Sequence, residues 1–176
     1  MRKTNSVIIK CRKQLNNAGI DYDAAYHKSK LLLKIYRDVV WSLSERSCDL
    51  QYYAYELGGQ DLERGLCYLE GFAPDIKVSE FEEKVCCVME SKMLVDIIDK
   101  ALIKVRDYPE KGNLYFEILT KQFIDKFNYT EKDMLEILDM ERSTFYDRKK
   151  EAIYVFSICL FGYTIPEIRG EFQYFY

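Results

Sequence analysis

The chain has a single histidine, His27. That scarcity excludes two-histidine zinc sites, His–His acid/base pairs and HExxH chemistry together. Three prolines and eight glycines are few for 176 residues, which disfavours collagen-like and many-turned β architectures. None of the six cysteines (Cys11, Cys48, Cys67, Cys86, Cys87, Cys159) falls in a CxxC spacing, so a zinc knuckle or thioredoxin-like motif is not expected. No signal-peptide pattern is visible, because the opening MRKTNSVIIKCRKQLNN carries charges through its short apolar stretch. The cysteines therefore read as free thiols of a cytoplasmic protein. The longest apolar run, residues 152–163, is shorter than a membrane span, and no membrane association is expected.

What is present is a globular balance, 48% apolar and 31% charged. The net charge of -3 hides an uneven distribution. Residues 1–50 carry a net +5, traceable to residues 1–13, and residues 51–140 a net -8. Residues 141–176 balance, but RSTFYDRKK (142–150) holds four basic groups against one acid. A basic arm and a compact basic segment thus flank an acidic middle.

Hydrophobic spacing makes this an all-α chain. Residues 1–20 read as a basic N-terminal arm or a frayed short helix. Asp21 or Asp23 can cap a helix striped by Ala25, Leu32, Ile35, Val39 and Leu43, ending near residues 42–47 or running on toward Tyr55. Gly58-Gly59 reads as a turn, and residues 61–68 as a short helix. Ser79 with Glu82 forms a capping-box pattern before a second striped helix, which Tyr108-Pro109 closes. The two stripes suggest a long N-terminal helical hairpin, residues 21–110, packed through them; the hairpin is also expected to supply the interface of a homodimer. Trp41 is expected in the core or at a helix–helix contact, and Asp96 and Asp99 in solvent.

Three shorter helices follow in residues 111–165. The first is expected over 114–127 with Phe123 and Phe127 on its inner side. Thr130, with Asp133 three residues on, opens the second, which stops near Asp139. The third starts around 141–143 and ends near Phe161, before Pro166. Residues 166–176 are an aromatic C-terminal tail, expected to dock on the body or a second subunit. A short helix, a tight turn and a longer helix opening on small polar and basic residues have the layout of a helix-turn-helix. Its turn needs a residue that tolerates the left-handed region, here Asp139. Met140 should fill the pocket between the helices, and Phe145 should face inward.

The run YTEKDMLEILDMERSTFYDRKKEAI (129–153) resembles the sigma-70 region-4-like helix-turn-helix of ArpU/RinA-type phage transcriptional regulators. The lead-in ALIKVRDYPEKGNLYFEILTKQFI (101–124) and the Leu160-Phe161-Gly162 and Ile165-Pro166 pairings are similar to that family too. The likeness spans roughly residues 100–166. It departs at Glu141, where such motifs carry Ser, and at Asp147, where they favour a basic residue. The resemblance implies a regulator of late genes that binds double-stranded DNA. Its DNA-facing residues would be Arg142, Ser143, Thr144, Tyr146, Lys149 and Lys150, with Arg148 reaching phosphate or pairing with the scaffold. No nucleophile–base–orienter set can be assembled, so an enzyme is not expected, nor a cofactor or metal. The alternatives are a helical adaptor binding RNA polymerase or another regulator, and a helical structural phage component.

Overall fold

Asn5 starts the first helix, α1 (Ser6–Asn17), by accepting the Val7 N–H at 3.2 Å. Gly19 (φ 73°) ends it: its N–H reaches the Asn16 carbonyl, and the Ile20 N–H reaches Leu15, a left-handed closure that glycine takes without strain. These features come from a computed structural model that describes residues 5–46, 58–88 and 91–173. Of the two expectations for residues 1–20, the short helix holds over residues 6–17 and the arm does not. Cys11 and Leu15 are fully buried, and Arg12 donates to the Tyr154 hydroxyl (3.1 Å) while lying over the Tyr22 ring. The apolar spacing of so short a segment was masked by its charge.

The protein is all-α, with no strand among the described residues. Asp21 caps α2 (Tyr22–Arg46) by accepting the Ala24 N–H at 2.8 Å. Ala25, Leu32, Ile35 and Val39 are buried as their spacing predicts, and so are Leu31, Leu33 and Tyr36. One stripe cannot bury three consecutive leucines. The helix is central, with neighbours on several sides. The continuation toward Tyr55 lies outside the described residues. Trp41 is 65% exposed rather than in the core.

Helix α3 (Gly58–Gly71) includes Gly58 and Gly59 in its first turn, so they start a helix rather than separating two. Helix α4 begins at Val78 (Val78–Val88), which places Ser79 inside the first turn instead of at the cap. Helix α5 (Ser91–Arg106) buries Leu94, Ile97, Ile98, Ala101, Leu102 and Val105. Asp99 is not simply solvated, since it accepts the Tyr36 hydroxyl from α2 at 2.7 Å. A Cβ on Gly112 would sit 2.3 Å from the Arg106 carbonyl oxygen. Only glycine lets α6 (Gly112–Leu119) start against the end of α5.

Helix α6 widens into a π-helical turn, Thr120–Ile124, and stops there, three residues short of the expected end. Phe123 is half-buried and packs against the main core as expected, but Phe127 is 63% exposed rather than on the inner side. Arg37 of α2 explains the stop. Its guanidinium donates to the carbonyls of Asp125 (2.7 Å), Gln122 (3.0 Å) and Lys121 (3.2 Å), groups that a helix end leaves unpaired.

Helices α7 (Glu131–Leu138) and α8 (Arg142–Ser157) follow. A second π-helical stretch, Ile158–Thr164, then joins α8 to α9 (Ile165–Gln173). The expected end near Phe161 is thus wrong: the helical run continues through Pro166, where the widened turn precedes a residue without an N–H. Residues 142–170 form one run of 29 residues, long and apolar enough by composition to cross a membrane. Its apolar window is 78% buried, however, as in a core helix of a folded domain.

One hydrophobic cluster draws on α1 to α6, α8 and α9, and a smaller one, Ile118, Met134 and Phe145, anchors α7. Packing is therefore continuous across the boundary expected at residue 110. The stripes of α2 and α5 are spent inside the protomer.

Candidate nucleic-acid interface

Thr130 and Asp133 fix the start of α7. The Asp133 N–H reaches Thr130 Oγ1 (3.2 Å), and the Thr130 N–H returns to Asp133 Oδ2 (2.8 Å), a reciprocal box. The Thr130 hydroxyl also donates to Oδ2, and these bonds hold the Asp133 carboxyl below its ordinary pKa. Asp139 ends the helix in the left-handed region (φ 48°, ψ 53°), with the Met140 N–H on the Leu135 carbonyl at 3.1 Å. The same closure that Gly19 makes on α1 is made here by aspartate, one of the few side chains that tolerate it. Glu141 is then extended (ψ 151°), and α8 begins with no side-chain cap on its N–H groups.

Phe145 is 2% exposed, against Met134 of α7 and Ile118 of α6. Met140, expected to fill that pocket, is only half-buried; Met134 and Phe145 fill it instead. With Phe145 turned inward, Arg142, Ser143, Tyr146 and Lys150 are exposed and Thr144 is half-buried.

The seven candidate residues divide by what holds them. Arg142 Nε lies 2.8 Å from Glu131 Oε1, and the Tyr146 hydroxyl donates to the other oxygen of Glu131. Arg148 is turned into the scaffold. Its guanidinium reaches both oxygens of Glu151 (2.5 and 2.7 Å), a fully buried carboxylate that also accepts the Tyr115 hydroxyl at 2.6 Å. Burial and this carboxylate push the Tyr115 hydroxyl pKa well up. Lys149 also turns inward, donating to Gln122 Oε1 at 2.7 Å beneath the Phe123 ring. Burial lowers its pKa, and so do Lys30 and Lys34 of α2 nearby.

Arg142, Ser143, Tyr146, Lys149 and Lys150 line an open cleft of about 900 Å³, whose other wall is Tyr26 and Lys30 of α2. Glu141 and Asp147 line it too. The sequence reading missed Lys30, Lys34, Glu131 and Glu151. Tyr26, Lys30 and Lys34 recur at four-residue spacing, a visible helical face, but spacing within one helix cannot say which other helix it borders. Among the described residues, no group of three His, Cys, Asp or Glu could hold a metal ion. Comparison with protein-family models, curated proteins and solved structures gives no match.

Proposed function

We propose that the chain is a phage- or prophage-type transcriptional regulator whose α7 and α8 form a helix-turn-helix that binds duplex DNA sequence-specifically. The observation that carries this reading is the α7–α8 junction. Asp139 turns the chain in the left-handed region, Phe145 locks α8 onto α7, and the opening turns of α8 are left exposed. Uncapped N–H groups there suit a phosphate, and Arg142 suits phosphate or a guanine edge. The likeness of residues 129–153 to ArpU/RinA-type regulators supports the same reading. It includes a cytoplasmic protein with no cofactor and no enzymatic step. It also includes a homodimer, formed by surfaces other than the buried stripes of α2 and α5.

Duplex binding across a salt series tests it. Three or four phosphates per protomer give a log–log slope of roughly -5 to -7 for a dimer. Arg142→Ala should cost about 1–3 kcal/mol of specific affinity. A slope near zero rejects DNA binding. One observation favours the adaptor reading: Arg142 and Arg148 are paired with carboxylates, and Lys149 is held by Gln122. A pull-down that retains RNA polymerase without salt-sensitive DNA binding selects that reading.

A further inference from the structure

Helix α2 lies antiparallel beside α8. The Tyr26 ring stacks on Tyr154 (centroids 4.6 Å apart), and the Ser157 hydroxyl, while bonded to its own Ile153 carbonyl, sits 3.4 Å from the Ala25 carbonyl. Moving up α2 therefore means moving down α8. The residues that come next on α2 are Lys30, which lines the same cleft as Lys149 of α8, and Lys34 one turn on; both lower the Lys149 pKa by like-charge repulsion. Among the described residues neither Lys30 nor Lys34 forms a hydrogen bond or ion pair. Glu131, the carboxylate that acts on Lys149, is already engaged by Arg142 and Tyr146.

Lys30 lines the cleft together with Lys149 and Lys150, and Lys34 lies one turn further along the same face of α2, exposed. Such an arrangement suits a polyanion laid along it. The cleft holds Lys30, Arg142, Lys149 and Lys150 against Glu141 and Asp147, so its balance is positive although the chain's is not. Lys30 and Lys34 are one turn apart on one helix face, roughly 6 Å along the axis, so they form a short cationic rail rather than a point.

We propose that Lys30 and Lys34 of α2 form a second wall of the DNA site and take the phosphodiester backbone flanking the groove that α8 enters. This rests on the DNA-binding reading and extends the footprint to a helix outside the helix-turn-helix. Phosphate contacts would then come from two helices whose relative position Tyr26–Tyr154 packing fixes, which orients the protein on the duplex.

The test is fluorescence anisotropy with a labelled duplex, selected by the full chain from a random-sequence pool, across a salt series. Lys30→Gln/Lys34→Gln should lower the slope by about two for each bound protomer. Lys10→Gln/Lys13→Gln, at a separate cleft, should leave it unchanged. An unchanged slope in the α2 variant, with normal wild-type binding, overturns the inference and leaves the DNA-binding reading standing. An equal loss in the α1 variant also overturns it, since the effect would then be one of total charge. Wild-type protein that selects no duplex rejects both. Lys34 is exposed, so Lys34→Gln alone, with an expected loss of about one, carries the test if the double variant does not fold.

Discussion

Glu131 on the first turn of α7 holds Arg142 on the first turn of α8, with Oε1 2.8 Å from Nε, while its other oxygen takes the Tyr146 hydroxyl. One carboxylate thus orients two of the groups that would meet DNA and offsets a positive charge. Arg142 is largely solvated and Glu131 half-buried, so the pair contributes only about 0–1 kcal/mol to folding. Its consequence lies in binding. To reach a phosphate or base, Arg142 must leave Glu131, and a non-specific contact is less able to displace it than a well-placed guanine edge.

Glu131→Gln should therefore raise affinity for random-sequence duplex by about two- to fivefold at low salt, the equivalent of roughly 0.5–1 kcal/mol. Specific affinity should change less. The melting temperature should move by no more than about 3 °C. Parallel titrations of selected and random duplexes check this; an equal gain for both would show that Glu131 is only a bulk charge.

Phe145→Ala should destabilise the fold by about 3–5 kcal/mol, because Phe145, Met134 and Ile118 are the core that attaches α7. Helix α7 contributes only Met134 to the fully buried set, so it has little else to hold it. Urea titration gives the loss, and amide exchange should show α7 protected least in the variant.

Much of this architecture was readable from the sequence, in ways that show what spacing can report. The stripes of α2 and α5, the Thr130–Asp133 box, the left-handed turn at Asp139 and the inward Phe145 are local patterns, and the structure has them. Neighbours in space were not readable. Arg148 pairs with the scaffold, one of its two expected roles, but its sequence neighbourhood does not say that Glu151 is fully buried or that Tyr115, 36 residues before Glu151, shares that carboxylate. The end of α6 differs from its expected place because a tertiary contact decides it, Arg37 of α2 collecting its last carbonyls, and the run beyond α8 continues because a widened turn carries it through Pro166. The α2 wall of the cleft is a matter of helix adjacency, which a one-dimensional pattern does not carry.

Arg148→Ala should cost about 3–5 kcal/mol, since it leaves Glu151 buried with only the Tyr115 hydroxyl. Arg148→Ala/Glu151→Gln should be milder than the single change, because the uncompensated charge is gone. Thermal melts of both variants decide the point. A double variant as damaged as the single one would mean that the loss is Arg148 packing rather than a stranded charge.

Alkaline pH should weaken the fold through two buried thiols. Burial pushes Cys11 up to about 11 and Cys159 up to about 12, from ordinary values near 9. A thiol whose folded pKa is raised contributes fully below the unfolded value and loses that contribution as pH rises through the folded one. Each should subtract about 1.4 kcal/mol per pH unit from pH 9 to about 11. Urea midpoints at pH 8, 9.5 and 10.5 should decline accordingly. Cys11→Ala/Cys159→Ala should start lower but decline less steeply; an unaltered slope would remove the thiols as the cause.

Glu141→Ser should improve folding and DNA binding together. Glu141 occupies the cap position of α8 with an extended backbone and makes no side-chain capping bond, whereas a serine hydroxyl at that position can accept an N–H of the first turn. The gain should be up to about 1 kcal/mol, reduced by whatever the glutamate charge contributes at the positive helix end. The substitution also removes one of the two carboxylates lining the cleft, so duplex affinity should rise at low salt and converge with wild type as salt is added. A melting curve and a salt series on the same preparation separate the two effects. Higher stability without any salt-dependent gain would place Glu141 outside the path of the DNA backbone.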